Sequence, residues 1–202
     1  MHLVDSIGRN NNISYVCCLH EQAAVIAADG YAQYRNDIGV ALVTTGPGGT
    51  NAITGVAAAW IDSTPLLIIS GQVKRSDLLR GKGVRQMGVQ EVDIVRIVEP
   101  ITKYAVTILE PESIKYHLEK AVFLAKTGRP GPVWLDIPLD VQASVINETS
   151  LIGFKPNELV TKNTPNLESL VDRAIQLLNQ SERPVILAGR GIRMAGCEKE
   201  FL

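Results

Sequence analysis

The sequence predicts an α/β fold: a doubly wound parallel sheet, followed by the start of a second α/β unit. Two observations carry this. Short, continuous apolar runs rich in Val and Ile recur at residues 13–19, 39–44, 65–70, 102–107 and 133–137, as expected for parallel strands buried on both faces. Helical patterns lie between them, at 22–34, 50–60, 90–95 and 112–126, and strand–helix alternation at this spacing is the mark of a doubly wound sheet.

Taken in order, Met1 is followed at once by helical spacing at Leu3, Val4 and Ile7. The 13–19 run ends in His20-Glu21-Gln22, which opens the helix ending in Ala28-Asp29-Gly30-Tyr31-Ala32. The 39–44 run breaks into Thr45-Gly46-Pro47-Gly48-Gly49-Thr50-Asn51, a tight turn with Thr50 or Asn51 as helix cap. The 112–126 helix opens with Pro111 and Glu112 and stops at Gly128. From 143 onward the pattern becomes polar and carries Pro156, which reads as a linker. The expected organisation is therefore a domain over 1–142, a linker over 143–165 and part of a further domain over 166–202. In the last part Leu167, Leu170, Val171, Ala174, Leu177 and Leu178 form one helical stripe, and residues 184–188 read as a strand entering Gly189-Arg190-Gly191.

Bulk composition excludes several classes. Twenty Lys+Arg against 21 Asp+Glu leave a net charge of -1, without the basic face that nucleic-acid binding requires. No uncharged apolar run of about 18 residues occurs, so no membrane span is expected. The first residues show no signal-peptide zones. Cys17 and Cys18 fall inside an apolar run and are expected as buried small hydrophobes in a reducing cytosol.

The chemistry-bearing candidates are Glu21 and the glycine-rich turn. Each follows a strand-like run, and ligands of open α/β sheets bind outside the carboxyl ends of the strands. On residue type alone, Glu21 reads as a dipole and cap stabiliser of its helix. Gly46-Pro47-Gly48-Gly49 is neither a Walker A loop, lacking Gly-Lys-Ser/Thr, nor the dinucleotide fingerprint. Gly128-Arg129-Pro130-Gly131-Pro132 reads as a rigid loop between helix and strand.

In order and spacing these motifs say more. His20-Glu21-Gln22, the Ala28–Ala32 stretch, Gly46 to Asn51, Asp62-Ser63-Thr64-Pro65, Ser70-Gly71-Gln72-Val73, Gln90-Glu91-Val92-Asp93, Pro100-Ile101-Thr102-Lys103 and Gly128 to Pro132, closing on Asp136-Ile137-Pro138, follow one another. The series resembles the N-terminal, pyrimidine-binding domain of thiamine-diphosphate enzymes, and most closely the catalytic subunit of acetolactate (acetohydroxyacid) synthase. The resemblance covers essentially the whole chain. It implies that Glu21 hydrogen-bonds N1′ of the cofactor's aminopyrimidine, favouring the tautomer that activates the thiazolium carbon. A cleft that desolvates this carboxyl and raises its pKa would suit the task. The resemblance further implies that Pro47, Gly48 and Asn51 line the pyrimidine side, that Gln90 points into the active site, and that Arg129 contacts a structural FAD. It implies a 2-keto acid substrate, a cytoplasmic homodimer or homotetramer, and Mg²⁺ and diphosphate held by a domain beyond residue 202. It also places the family's first strand before Met1; without the diphosphate domain, the chain alone is expected to be inactive.

Two departures stand out. Val89 occupies the place where acetolactate synthases usually carry Phe. The stretch 73–88 is several residues longer than usual and holds Lys74, Arg75, Arg80, Lys82 and Arg85. It reads either as a solvated loop or as a changed acceptor pocket for an anionic or larger carbonyl compound.

Overall fold

The computed structural model describes residues 1–158 and 166–202. They divide into two compact units, 1–156 and 157–202.

The first unit begins with α1 (His2–Arg9), a stretch without secondary structure, and α2 (Glu21–Arg35). Strand β1 (Gly39–Val43), helix α3 (Pro47–Asp62) and strand β2 (Leu66–Gln72) follow. Then come α4 (Ile94–Val98), β3 (Tyr104–Thr107), α5 (Ile114–Lys126), β4 (Pro132–Pro138) and the short α6 (Leu139–Gln142). All four strands run parallel in the order β1-β2-β4-β3. The inner strands behave as two-sided burial demands: every residue of β4 is buried. Alternate side chains serve opposite faces. Leu66, Ile68 and Trp134 join Val25, Ala52, Val56, Ile94 and Val98 in one core. Leu67, Val133, Leu135 and Ile137 join Ala121, Ala125 and Val141 in the other. The result is a three-layer α/β/α sandwich, the expected class.

Helix ends follow local chemistry. The His20 ring nitrogen accepts from the Gln22 amide at 3.1 Å and caps α2. Helix α3 has Pro47 in its first turn and ends on Ser63 in the left-handed region. Lys103, whose ammonium donates to the carbonyls of Leu124 and Thr127, satisfies the last turn of α5.

Several expectations are corrected. Residues 13–19 form no strand; Val16 and Leu19 are 88% and 108% exposed, and Cys17 and Cys18 are exposed rather than buried. An apolar run becomes a strand only where a neighbour completes its hydrogen-bond ladder, and β1, an edge strand, is paired only with β2 in this sheet. The helix expected over 90–95 starts later, at Ile94. Gln90 has φ 59, outside the helical region, and the Asp93 carboxylate caps α4 through the Arg96 amide. The 112–126 helix is regular only from Ile114, behind a 3₁₀ turn at Pro111–Ser113. Residues 143–156, read from sequence as linker, lie in the first unit. The Phe154 amide donates to the Glu119 carboxylate at 2.8 Å, and the Phe154 ring packs on Tyr116 and Phe123. Residues 159–165 of that expected linker lie outside the described residues.

The second unit holds α7 (Leu167–Gln180), α8 (Gly191–Met194) and α9 (Glu198–Phe201). The apolar stripe does form a helix. The expected strand at 184–188 is not formed; Val185 and Leu187 are 89% and 96% exposed, again without a ladder partner among the described residues.

Candidate functional site

The candidate residues gather at the start of α2 and at the loop that leads from β1 into α3. Glu21 begins α2, half-buried, where its charge meets the helix N-terminus. Asn51 lies in the first turns of α3, and its Nδ2 donates to Glu21 Oε2 at 3.1 Å. The two helices run side by side, with Val25 one turn after Glu21 facing Gly55 one turn after Asn51. Glycine lets them approach: a Cβ on Gly55 would lie 2.6 Å from Val25 Cγ1. Gly48 does the same at the site itself, where an added Cβ would stand 3.2 Å from Glu21 Oε1 and 2.6 Å from Thr44 Cγ2.

The second loop closes on the first. Gly46 sits at φ 60, and a Cβ there would come within 1.9 Å of the Gln90 carbonyl oxygen. The glycine loop and the 88–93 segment therefore touch backbone to backbone. The structure thus brings Glu21, Gly48, Asn51 and the Gln90 backbone together, with Pro47 heading α3 beside them. Arg129 stands apart. Its Nε donates to Ser63 Oγ at 2.7 Å, and Ser63 caps the far end of the 16-residue α3. At 1.5 Å per residue that is about 24 Å from the Glu21 end.

The expected rise in the Glu21 pKa is not what this structure shows. The hydrogen bond from Asn51 and that from the backbone amide of Glu21 itself hold the carboxyl below its ordinary value, against a weaker upward push from burial. The cause is exposure: the carboxyl remains open to water, so stabilisation of the anion outweighs desolvation.

The long basic loop is organised from below. The Glu91 carboxylate accepts the backbone amides of Leu79, Met87 and Gly88. Leu78 is buried, and Arg75 pairs with Asp140 at 2.7 Å while donating to the Leu109 carbonyl. Arg80, Arg85 and Val89 are exposed. Among the described residues, no group of three or more His, Cys, Asp or Glu is placed to hold a metal, and no helix is long and apolar enough to cross a membrane. A shallow depression of about 340 Å³, lined by Glu110, Glu112, Tyr116 and Ile152 among others, shares no residue with the Glu21 cluster.

Sequence reasoning assigned no role to Thr45, Gln72, Glu91 and Asp136. Their signal was polarity in the wrong place. Ser70, Gln72 and Asp136 interrupt runs that burial on both faces should keep apolar, and Ser70 and Asp136 are register partners.

Residues 1–97 match the family model described as thiamine pyrophosphate enzyme, N-terminal TPP binding domain. Over residues 1–97 the chain is thus similar to the N-terminal TPP-binding domain of the thiamine pyrophosphate enzymes, and the parallel α/β/α sandwich with its glycine loop is in keeping with that likeness. The chain is also similar to acetolactate synthase large subunits. It is 38% identical to the isozyme 3 large subunit of Escherichia coli over its whole length and 34% of that protein. It is 41% identical to the large subunit of Lactococcus lactis over 96% of this chain and 32% of that one. A probable large subunit of Methanocaldococcus jannaschii is 37% identical over the same shares. The chain spans about a third of the length of these curated relatives.

Proposed function

We propose that this chain supplies the pyrimidine side of a thiamine diphosphate site in a carboligase of the acetolactate synthase type. The enzyme would decarboxylate a 2-keto acid such as pyruvate and pass the two-carbon unit to a carbonyl acceptor. The observation that carries this reading is the Glu21–Asn51 hydrogen bond beside a glycine loop that has no room for side chains. The fit is chemical: a flat heteroaromatic ring needs close backbone approach, which Gly48 allows beside Glu21 Oε1, and a carboxyl at its edge, which Glu21 provides.

When bound, the cofactor supplies a carbon acid and an electron sink for decarboxylation. The chain's own contribution is to hold a proton at Glu21. Asn51 fixes one carboxyl oxygen, which leaves the other to face the ring. Covering the carboxyl with a flat aromatic ring would remove its water and turn the lowered pKa upward, so that proton sharing with N1′ becomes cheap. Mg²⁺ and the diphosphate would be held by residues outside this chain. Arg129, exposed and using one guanidinium N–H on Ser63, would offer the others to FAD. A homodimer or homotetramer in the cytoplasm completes the reading. It is supported by Ile26, Tyr31, Trp60 and Ile61, large apolar side chains left exposed on α2 and α3.

The 73–88 loop and Val89 favour an acceptor other than a second pyruvate. They differ from the family's pattern, whereas the residues around Glu21 do not. The test of the central role is Glu21→Gln in the holoenzyme. The amide can still accept from Asn51, so the fold should hold, but it cannot share a proton. Proton–deuterium exchange at the thiazolium carbon should slow on the order of 10²–10⁴-fold. Exchange at the wild-type rate would reduce Glu21 to a helix cap.

A further inference from the structure

Gln72 ends β2 at the site edge and is 6% exposed. Its carboxamide oxygen accepts from Thr45 Oγ1 at 2.8 Å and from the Val73 amide at 2.9 Å. Its nitrogen donates to the Val92 carbonyl at 3.1 Å and to Asp136 Oδ2 at 3.0 Å. A carboxamide has two lone pairs and two N–H groups, and all four are used. The group cannot flip without losing its bonds to Val73, Val92 and Asp136.

The anchor below it is equally complete. Asp136, 1% exposed, also accepts from Ser70 Oγ at 2.6 Å and Thr107 Oγ1 at 3.1 Å. Ser70 accepts from Trp134 Nε1 at 2.8 Å, which leaves its own hydrogen for Asp136. A polar chain therefore runs from the middle of the sheet to Gln72 and there divides. One branch reaches Thr45, the residue before Gly46. The other reaches Val92, two residues after Gln90. These are the two loops whose backbones meet at Gly46 and Gln90.

We propose that Gln72 is a positioning residue of the thiamine site: anchored on Asp136, it sets the glycine loop and the 88–93 segment in register against each other. It touches neither Glu21 nor the place for the ring. Its effect is exerted through the loop that seats Gly48 and Asn51, and through the segment that carries Gln90. The proposal rests on reading the Glu21 edge as the thiamine site.

Backbone amide exchange in the 202-residue chain tests it, with Gln72→Met (similar length, no polar groups) and Gln72→Glu. In Gln72→Met, exchange at Gly48 and Thr50 and at Glu91 should speed up about tenfold or more, the effect of losing one or two hydrogen bonds locally. The β2–β4 ladder at Val133 to Leu135 should be unaffected. Gln72→Glu keeps the acceptor for Thr45 but turns an oxygen toward both Val92 and the Asp136 carboxylate, so the anchor is lost as well and both the 88–93 segment and the glycine loop should loosen. A uniform rise over loops and ladder, or no rise in the loops, overturns the proposal, because Gln72 would then contribute only general stability or nothing. A second arm compares wild-type holoenzyme with its thiamine-free form. Protection of Gly48, Thr50 and Glu91 by thiamine diphosphate is expected. Its absence in the wild type would overturn the site reading itself, and with it the functional meaning of the strut, whatever the variants do.

Discussion

Replacing Gly55 with alanine inserts one methyl where α2 and α3 cross. The new carbon would stand 2.6 Å from Val25 Cγ1, 2.9 Å from Val25 Cβ and 3.3 Å from the Ile26 nitrogen, where ordinary contact begins near 3.4 Å. Val25 is held in the core at 0% exposure, so the helices themselves must part by several tenths of an ångström. One turn away, the 3.1 Å Glu21–Asn51 bond would stretch toward the limit of a hydrogen bond. Overpacking of this kind costs about 1–3 kcal/mol, and alanine's helix preference offsets about 1 kcal/mol of it. The net loss is about 0–2 kcal/mol, with Tm falling about 2–4 °C per kcal/mol. Gly30→Ala in α2 is the internal control. Nothing lies within 4 Å of its added carbon, so it should gain about 1 kcal/mol from propensity alone. The assay is urea unfolding of both variants, with the Asn51 side-chain amide followed by NMR. If Gly55→Ala stabilises as much as Gly30→Ala and the Asn51 signal does not move, the close crossing does not set the site.

Asp136 gives a pH prediction. Burial pushes its carboxyl up to about 6, although bonds from Ser70, Gln72 and Thr107 pull it back. Between the unfolded value near 3.8 and the folded value near 6 the native state binds the extra proton. Its contribution is therefore full below about pH 4 and lost as pH rises through about 6, a change on the order of 2–3 kcal/mol. The urea midpoint should fall over this window in wild type relative to Asp136→Asn, and parallel profiles would refute it. In the holoenzyme, shortening 73–88 together with Val89→Phe should shift acceptor preference by roughly 1–3 kcal/mol while pyruvate decarboxylation changes little. Product ratios with pyruvate, 2-ketobutyrate and anionic aldehydes check this. Decarboxylation collapsing at fixed ratios would assign the loop to the cofactor side or to the fold.

What was legible in the sequence was whatever depends on periodicity. The runs at 39–44, 65–70, 102–107 and 133–137 became β1 to β4, and the longer helices between them fell close to where apolar spacing put them, while the short one expected over 90–95 starts only at Ile94. Residues 13–19 and 184–188 misled because a strand is a property of two chains. The sequence shows the apolar run, not the partner that completes it. Glu21 and Asn51 were legible as neighbours because each follows an apolar run that breaks into a helix start, although only the run before Asn51 is a strand. The lowered pKa of Glu21 was not, since it depends on how much water reaches one carboxyl. Gln72 lay inside a quoted motif, but its role needed Thr45, Val92 and Asp136, residues 27, 20 and 64 positions away, to be seen on one carboxamide.

The most direct measurement of the central claim is the carboxyl ¹³C shift of Glu21, titrated against pH in the thiamine-free protein and in the holoenzyme. Without cofactor the group should titrate below its ordinary value, since Asn51 favours the anion. With thiamine diphosphate bound, the ring should exclude water and N1′ should share the proton, so the titration should move upward, toward neutral pH. A midpoint that stays low and unchanged on binding would show that Glu21 does not meet the cofactor, and the mechanism proposed for this site would fall.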